Sequence, residues 1–240
     1  MPAREPIFNL PRAVTLSAGV MIVMQIVLSL LPAATGLNVF LTLAMIPARY
    51  TGAASELPGG YVSAVTSFVT YMVVHGGWLH LTVNVLWMLA FGTAVARRVS
   101  IAGFFQFSIL CGIAGALAHL VLHWGEVSPM VGASAAISGQ MAAALRFIFF
   151  ARGGPHGEAP DFAHVPLAPL SETLRDGKVM GFIAFWLILN VYFGITGASF
   201  GSGPSDEIAW EAHIGGFVCG FLTFGYFDSV RPAPDASQMR

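Results

Sequence analysis

Apolar residues fall in long blocks along this chain, broken by short polar stretches. A helix that crosses a bilayer needs about 20 predominantly apolar residues. The first block, residues 13–31, follows Arg4 and Arg12 and is closed by Pro32. A secretory signal peptide also opens with a basic segment and an apolar core, but this run is long for such a core and reads as a retained span. Residues 37–47 are too few to cross and read as re-entrant or interfacial. The run 61–95 is too long for one crossing, and His75-Gly76-Gly77-Trp78 divides it. Its first part predicts an interfacial segment; residues 79–95 predict a span ending at Arg97-Arg98. Further spans are predicted over 101–122, 131–150, 179–197 and 208–227, with a proline-bearing polar loop over 152–178. The expected fold is all-α: a polytopic membrane bundle of six transmembrane helices with no detectable internal repeat.

Composition agrees. The 240 residues are 56% hydrophobic and 10% charged, where a soluble domain carries about a quarter charged residues. A net charge of −1 supplies no basic field for nucleic acid. Cys111 and Cys219 both lie within apolar runs and read as small core residues.

Charge also sets orientation. With six spans, the N-terminus, the 96–100 turn, the 151–178 loop and the C-terminal tail share one side. Of the eleven Lys and Arg, only Arg49 falls on the other side, so the Arg-rich side is expected to be cytoplasmic. The organisation expected is a cytoplasmic segment 1–12, one six-span domain 13–228 and a cytoplasmic tail 229–240. A compact chain of this kind suits a bacterial inner membrane.

Spans two, four and six then run from outside to inside, and their N-terminal ends meet in the outer part of the membrane. His80 and Asn84 begin span two, Ser134 begins span four, and His213 enters span six. Ionisable residues inside spans are expensive and face the bundle interior. Separate polar residues can also act as interhelical hydrogen-bond glue. The chemical reading gives each a role. A serine hydroxyl is a weak nucleophile until a base accepts its proton, and His213 is the candidate base for Ser134. His80 and Asn84, spaced i and i+4, share a helix face and can aim at the oxyanion, with the Ser134 backbone N–H as a further donor. No acidic third member is evident, because Glu211 lies on another face of the helix that bears His213.

His75-Gly76-Gly77-Trp78-Leu79-His80-Leu81-Thr82-Val83-Asn84, Gly132-Ala133-Ser134 and Ala212-His213-Ile214-Gly215-Gly216 resemble, in order, the signatures of the rhomboid intramembrane serine proteases. The resemblance implies a Ser134–His213 dyad assisted by His80 and Asn84. It implies hydrolysis of peptide bonds in or beside transmembrane segments of substrates within the lipid bilayer, without metal or organic cofactor. His75 resembles a family histidine of structural role. Gly216-x-x-x-Gly220 permits close approach of spans six and four. There are departures. The family often has glycine after the nucleophile, where Ala135 stands, and an aromatic four residues on, where Ser138 stands. Ser138 is also the rival nucleophile. A Gly-x-x-x-Glu-x-x-x-Gly at the end of span two is reduced to Gly92, Ala96 and Ser100.

Two other functions fit parts of the pattern. His119 and His123, an i, i+4 pair at the outer end of span three, could join His75, His80 and Glu126 as metal ligands, although no HExxH-like pattern accompanies them. A catalytically silent rhomboid-like protein that binds transmembrane helices is the other, and retention of both Ser134 and His213 argues against it.

Overall fold

A computed structural model describes residues 10–151, 162, 164–196 and 208–229. Four helices are long and apolar enough to span a membrane: α1 (Arg12–Leu30), α4 (Trp78–Ala96), α5 (Ile101–Leu122) and α8 (Gly177–Thr196). Between α1 and α4 lie two shorter apolar helices, α2 (Ala33–Leu43) and α3 (Gly60–Thr70), as the interfacial reading of that stretch predicts. The remaining helices are α6 (Ser134–Ile148), the single turn α7 (Leu170–Thr173) and α9 (Trp210–Thr223). The six spans α1, α4, α5, α6, α8 and α9 form an all-α membrane bundle with no strand among the described residues.

Apolar side chains face outward as well as inward, as a bilayer solvent allows. Leu16, Val23, Phe185 and Ile188 are exposed on the long helices. By contrast, every residue of α6 from Ala135 to Phe147 is buried, and that run is mostly Ala, Ser and Gly. Small residues let backbones approach closely. A Cβ on Gly216 would stand 2.0 Å from the Ala135 carbonyl oxygen, and one on Gly220 2.3 Å from that of Gly139. The Gly216-x-x-x-Gly220 stripe therefore seats α9 on α6, as its spacing predicts. Cys111 is buried and Cys219 partly so, and both are free thiols.

The span predicted over 131–150 is shorter in fact. Gly132 has φ +110°, outside the helical range, and Met130 is tied back to Met45 by a two-residue antiparallel bridge. A hydrogen bond of 2.9 Å from Gly132 N–H to the Tyr71 carbonyl adds to the anchor. The chain thus enters the bundle as coil, and α6 begins at Ser134 with 15 residues. The span predicted over 208–227 similarly contains 14 residues of α-helix followed by a 3-10 turn, Phe224–Tyr226. The two central helices are the short ones.

At the end of the bundle near Arg97, Ser100 caps α5, its hydroxyl accepting from Gly103 N–H at 3.0 Å. Arg98 is fully buried. Its Nε and Nη2 donate to Asp228 at 3.1 and 2.6 Å, and its Nη1 donates to the carbonyls of Phe162 and Val165 at 2.8 and 2.6 Å. The guanidinium also stands 4.3 Å from the centre of the Phe147 ring. Arg146 donates to the carbonyls of Ala168 and Phe221. At the other end Arg49 is buried as a loop staple, donating to the carbonyls of Pro58 at 2.8 Å and Leu41 at 2.6 Å.

Candidate active site

Ser134 is the first residue of α6, so its backbone N–H and those of the next two residues have no intrahelical acceptor. Its hydroxyl lies 2.7 Å from Nε2 of His213, the fourth residue of α9. On the far side of the ring, Nδ1 of His213 lies 2.6 Å from Oδ1 of Asn190 on α8. The amide of Asn190 is oriented by its own Nδ2, which donates to the Trp186 carbonyl at 2.8 Å. That leaves Oδ1 as the acceptor, so a neutral His213 carries its proton on Nδ1 and turns the Nε2 lone pair to Ser134. Three helices contribute one atom each to this line.

His80 and Asn84 face the same cavity, of about 570 Å³, which Ser134, Ser138, Asn190 and His213 also line. His80 Nδ1 accepts from Gly76 N–H at 3.3 Å, so its ring proton belongs on Nε2. Gly132 explains how this ring fits beside the serine: a Cβ there would lie 2.7 Å from His80 Nε2, and φ +110° disfavours any side chain as well. Asn84 is buried. One of its amide protons goes to the His80 carbonyl at 2.9 Å, and Oδ1 has no hydrogen-bond partner among the described residues. His75 is buried with its ring edge-on to His80, centroids 5.2 Å apart.

Residues 62–229 match the family model of the Rhomboid domain, well over half of the chain. The chain belongs to the rhomboid family. RHOMBOID-like protein 4 of Arabidopsis thaliana is 26% identical over 159 residues, 66% of this chain and 33% of that protein. The chain therefore spans about a third of that relative's length. Family and apolar helices together make this rhomboid an integral membrane protein.

The departures from the family pattern have physical explanations. The Ala135 methyl lies against Gly115 of α5, where an added Cβ would come within 2.5 Å of it and 2.7 Å of the Ala212 carbonyl oxygen of α9. The aromatic missing at Ser138 is not needed to hold the His213 ring, because Asn190 holds it from α8. Ser138 lines the cavity, but the histidine nitrogen bonded to a serine here is bonded to Ser134. Ser100, a degraded motif position by sequence, is the α5 cap.

Two features escaped the sequence reading. Asn190 lies inside the span predicted over 179–197 and is not among the candidate residues of the sequence. The metal-ligand set grouped His119 and His123 with His75, His80 and Glu126. In the structure they converge on Glu211, while His75 and His80 meet each other. Glu211 is on another face of α9 from His213, as helical geometry predicts, and that face looks at α5. The glycine-rich connection 194–203, which reads as a candidate cap over the site, lies outside the described residues from 197 onward.

Proposed function

We propose that this rhomboid is an intramembrane serine endopeptidase, with Ser134 as nucleophile and His213 as base. The observation that carries the reading is the Ser134–His213–Asn190 hydrogen-bond line beside a cavity in the bundle. As Ser134 Oγ bonds to a substrate carbonyl carbon, its proton passes to His213 Nε2 and the carbonyl electron pair moves onto oxygen. The Ser134 backbone N–H, His80 Nε2–H and the second amide proton of Asn84 are the donors for that oxyanion. Collapse breaks the C–N bond, the leaving nitrogen takes the proton from His213, and water repeats the sequence to free the acid and restore Ser134. Asn190 orients the ring without placing a second charge in a low-dielectric site, where an unpaired carboxylate is costly.

The substrate is a transmembrane segment whose outer end unwinds readily, since a helical peptide hides its carbonyl within its own hydrogen bonds. The cavity is walled by Trp87 of α4 and by Trp186, Leu189 and Phe193 of α8. Of the four long helices α8 is the least buried, and substrate approaches laterally between α4 and α8. The Arg-rich end is placed in the cytoplasm and the site toward the outside. In intact cells a membrane-impermeant maleimide should label a cysteine at Glu56 and not one at Ser171; the reverse pattern would reject this orientation.

The deciding experiment is labelling of purified protein with a serine-reactive fluorophosphonate. Labelling that disappears in Ser134→Ala and His213→Ala but persists in Ser138→Ala is the expected result. No labelling of a folded wild-type protein that still captures transmembrane peptides would move the reading to a silent helix-binding rhomboid.

A further inference from the structure

A second polar cluster lies away from the Ser134 line, between the C-terminal end of α5 and the first turn of α9. His119 and His123, one turn apart on α5, have rings stacked at 4.5 Å. His119 Nδ1 lies 2.6 Å and His123 Nε2 3.3 Å from the same oxygen, Glu211 Oε1. His119 and Glu211 are buried, while His123 is about one-third exposed at 34%. Glu126 completes the group, its Oε2 2.9 Å from His123 Nδ1.

This arrangement asks more of His123 than a neutral imidazole supplies. The bond to Glu126 places the ring proton on Nδ1 and turns the Nε2 lone pair toward Glu211 Oε1. Two lone pairs facing across 3.3 Å repel unless a cation lies between them. A ring proton on Nε2 makes His123 an imidazolium, and a metal ion fills the same place. His119 adds to the case: its Nδ1 is spent on Glu211 while its buried Nε2 has no partner among the described residues. The ring therefore presents Nδ1 to Glu211 and, stacked on His123, holds that nitrogen beside the Nε2 of its neighbour.

We infer that His119, His123 and Glu211 form a binding site for a divalent transition-metal ion of the zinc class, distinct from the proposed chemistry. One donor atom from each lies within 4.8 Å of the others. Donors on one zinc stand roughly 3.4 Å apart at bond lengths near 2.1 Å. The His119–Glu211 contact of 2.6 Å therefore opens as the metal enters, while His123, one-third exposed, has room to adjust. Two imidazoles and one carboxylate suit zinc or its late first-row neighbours and do not suit magnesium or calcium, which prefer oxygen alone. Three protein ligands leave a fourth position for water. Glu126 is the outer partner that fixes the tautomer and angle of His123. The ion would tie α5 to α9 two residues before His213, acting as a staple beside the base and not as a reactant.

The test uses untagged Ser134→Ala protein in detergent, so that its outcome does not depend on proteolysis. Zinc binding is measured by competition with a chromophoric chelator, and thermal melting is followed with and without zinc. One zinc per chain and a raised melting temperature are expected. His123→Gln, a change at a position one-third exposed, should abolish the melting shift and weaken binding at least about tenfold. Glu126→Gln should weaken it by about 10–100-fold, the usual effect of losing such a partner. Magnesium should do nothing. Equal zinc affinity in the His123→Gln protein, or a melting shift that magnesium reproduces, would overturn the assignment.

Discussion

The Arg98 pocket and the Ser134 cavity, at opposite ends of this bundle, handle buried polar groups in opposite ways. Near Arg98 every guanidinium nitrogen is bonded, the partner carboxylate is bidentate and Phe147 covers the face. Around Ser134 the bundle opens into a cavity, Gly132 holds a left-handed φ, and buried atoms of Asn84 and His75 have no partner among the described residues. Buried polar groups without partners cost stability. The contrast teaches that the fold is locked around Arg98, while around Ser134 it leaves room and unpaired polar atoms, as the proposed chemistry requires.

Substitutions at the two ends should therefore separate activity from stability. Ser134→Ala should lower reporter cleavage by at least about a thousandfold, as loss of a nucleophile does, while melting stays close to wild type. Arg98→Ala should do the reverse. Breaking a buried ion pair leaves Asp228 uncompensated and costs about 3–5 kcal/mol, read as a large fall in thermal stability. Its fluorophosphonate labelling rate, measured below the melting transition, should remain near wild type. If Arg98→Ala silences labelling at a temperature where it is folded, the two ends are coupled and the contrast fails.

Smaller effects sharpen the division. Asn190→Ala and Asn84→Ala should each reduce kcat by about 10–10³-fold with little change in KM, Asn190 through the orientation of His213 and Asn84 through the oxyanion. For Asn190→Ala the pH profile should also change, because the base loses the acceptor that selects its tautomer; an unaltered profile and kcat would remove Asn190 from that role. Ser100→Ala, the loss of a cap at the locked end, should cost about 1 kcal/mol of stability and leave turnover untouched.

The legible part of this molecule was what local pattern and membrane depth determine. Long apolar blocks predicted the long helices to within a few residues, and the common depth of His80, Asn84, Ser134 and His213 brought them to one cavity. What stayed hidden depends on distant partners. The late start of α6 follows from a bridge between Met45 and Met130, residues far apart in the chain. Asn190 could have been found by the same depth argument: span five rises from the Arg-rich side, so a polar residue past its midpoint arrives at the level of His213. Ser100 falls in a degraded family motif, yet its position before an apolar run also marks a helix cap. Helical spacing sets Glu211 apart from the Ser134 line, but nothing local points it at His119.

The contact between Ala135 and Gly115 also constrains how this sequence can change. A methyl at 135 is tolerated because Gly115 offers none, and an added Cβ at Gly115 would meet both the Ala135 methyl at 2.5 Å and the Ala212 carbonyl oxygen at 2.7 Å. Removing the methyl at 135 clears only the first of these obstacles, since the second is backbone. Ala135→Gly is thus an open mutational step, whereas Gly115→Ala is closed in either background. The pair cannot trade its methyl from one helix to the other. Substitution here runs in one direction, and a double-mutant cycle would record it as a penalty at 115 that restoring glycine at 135 relieves only in part.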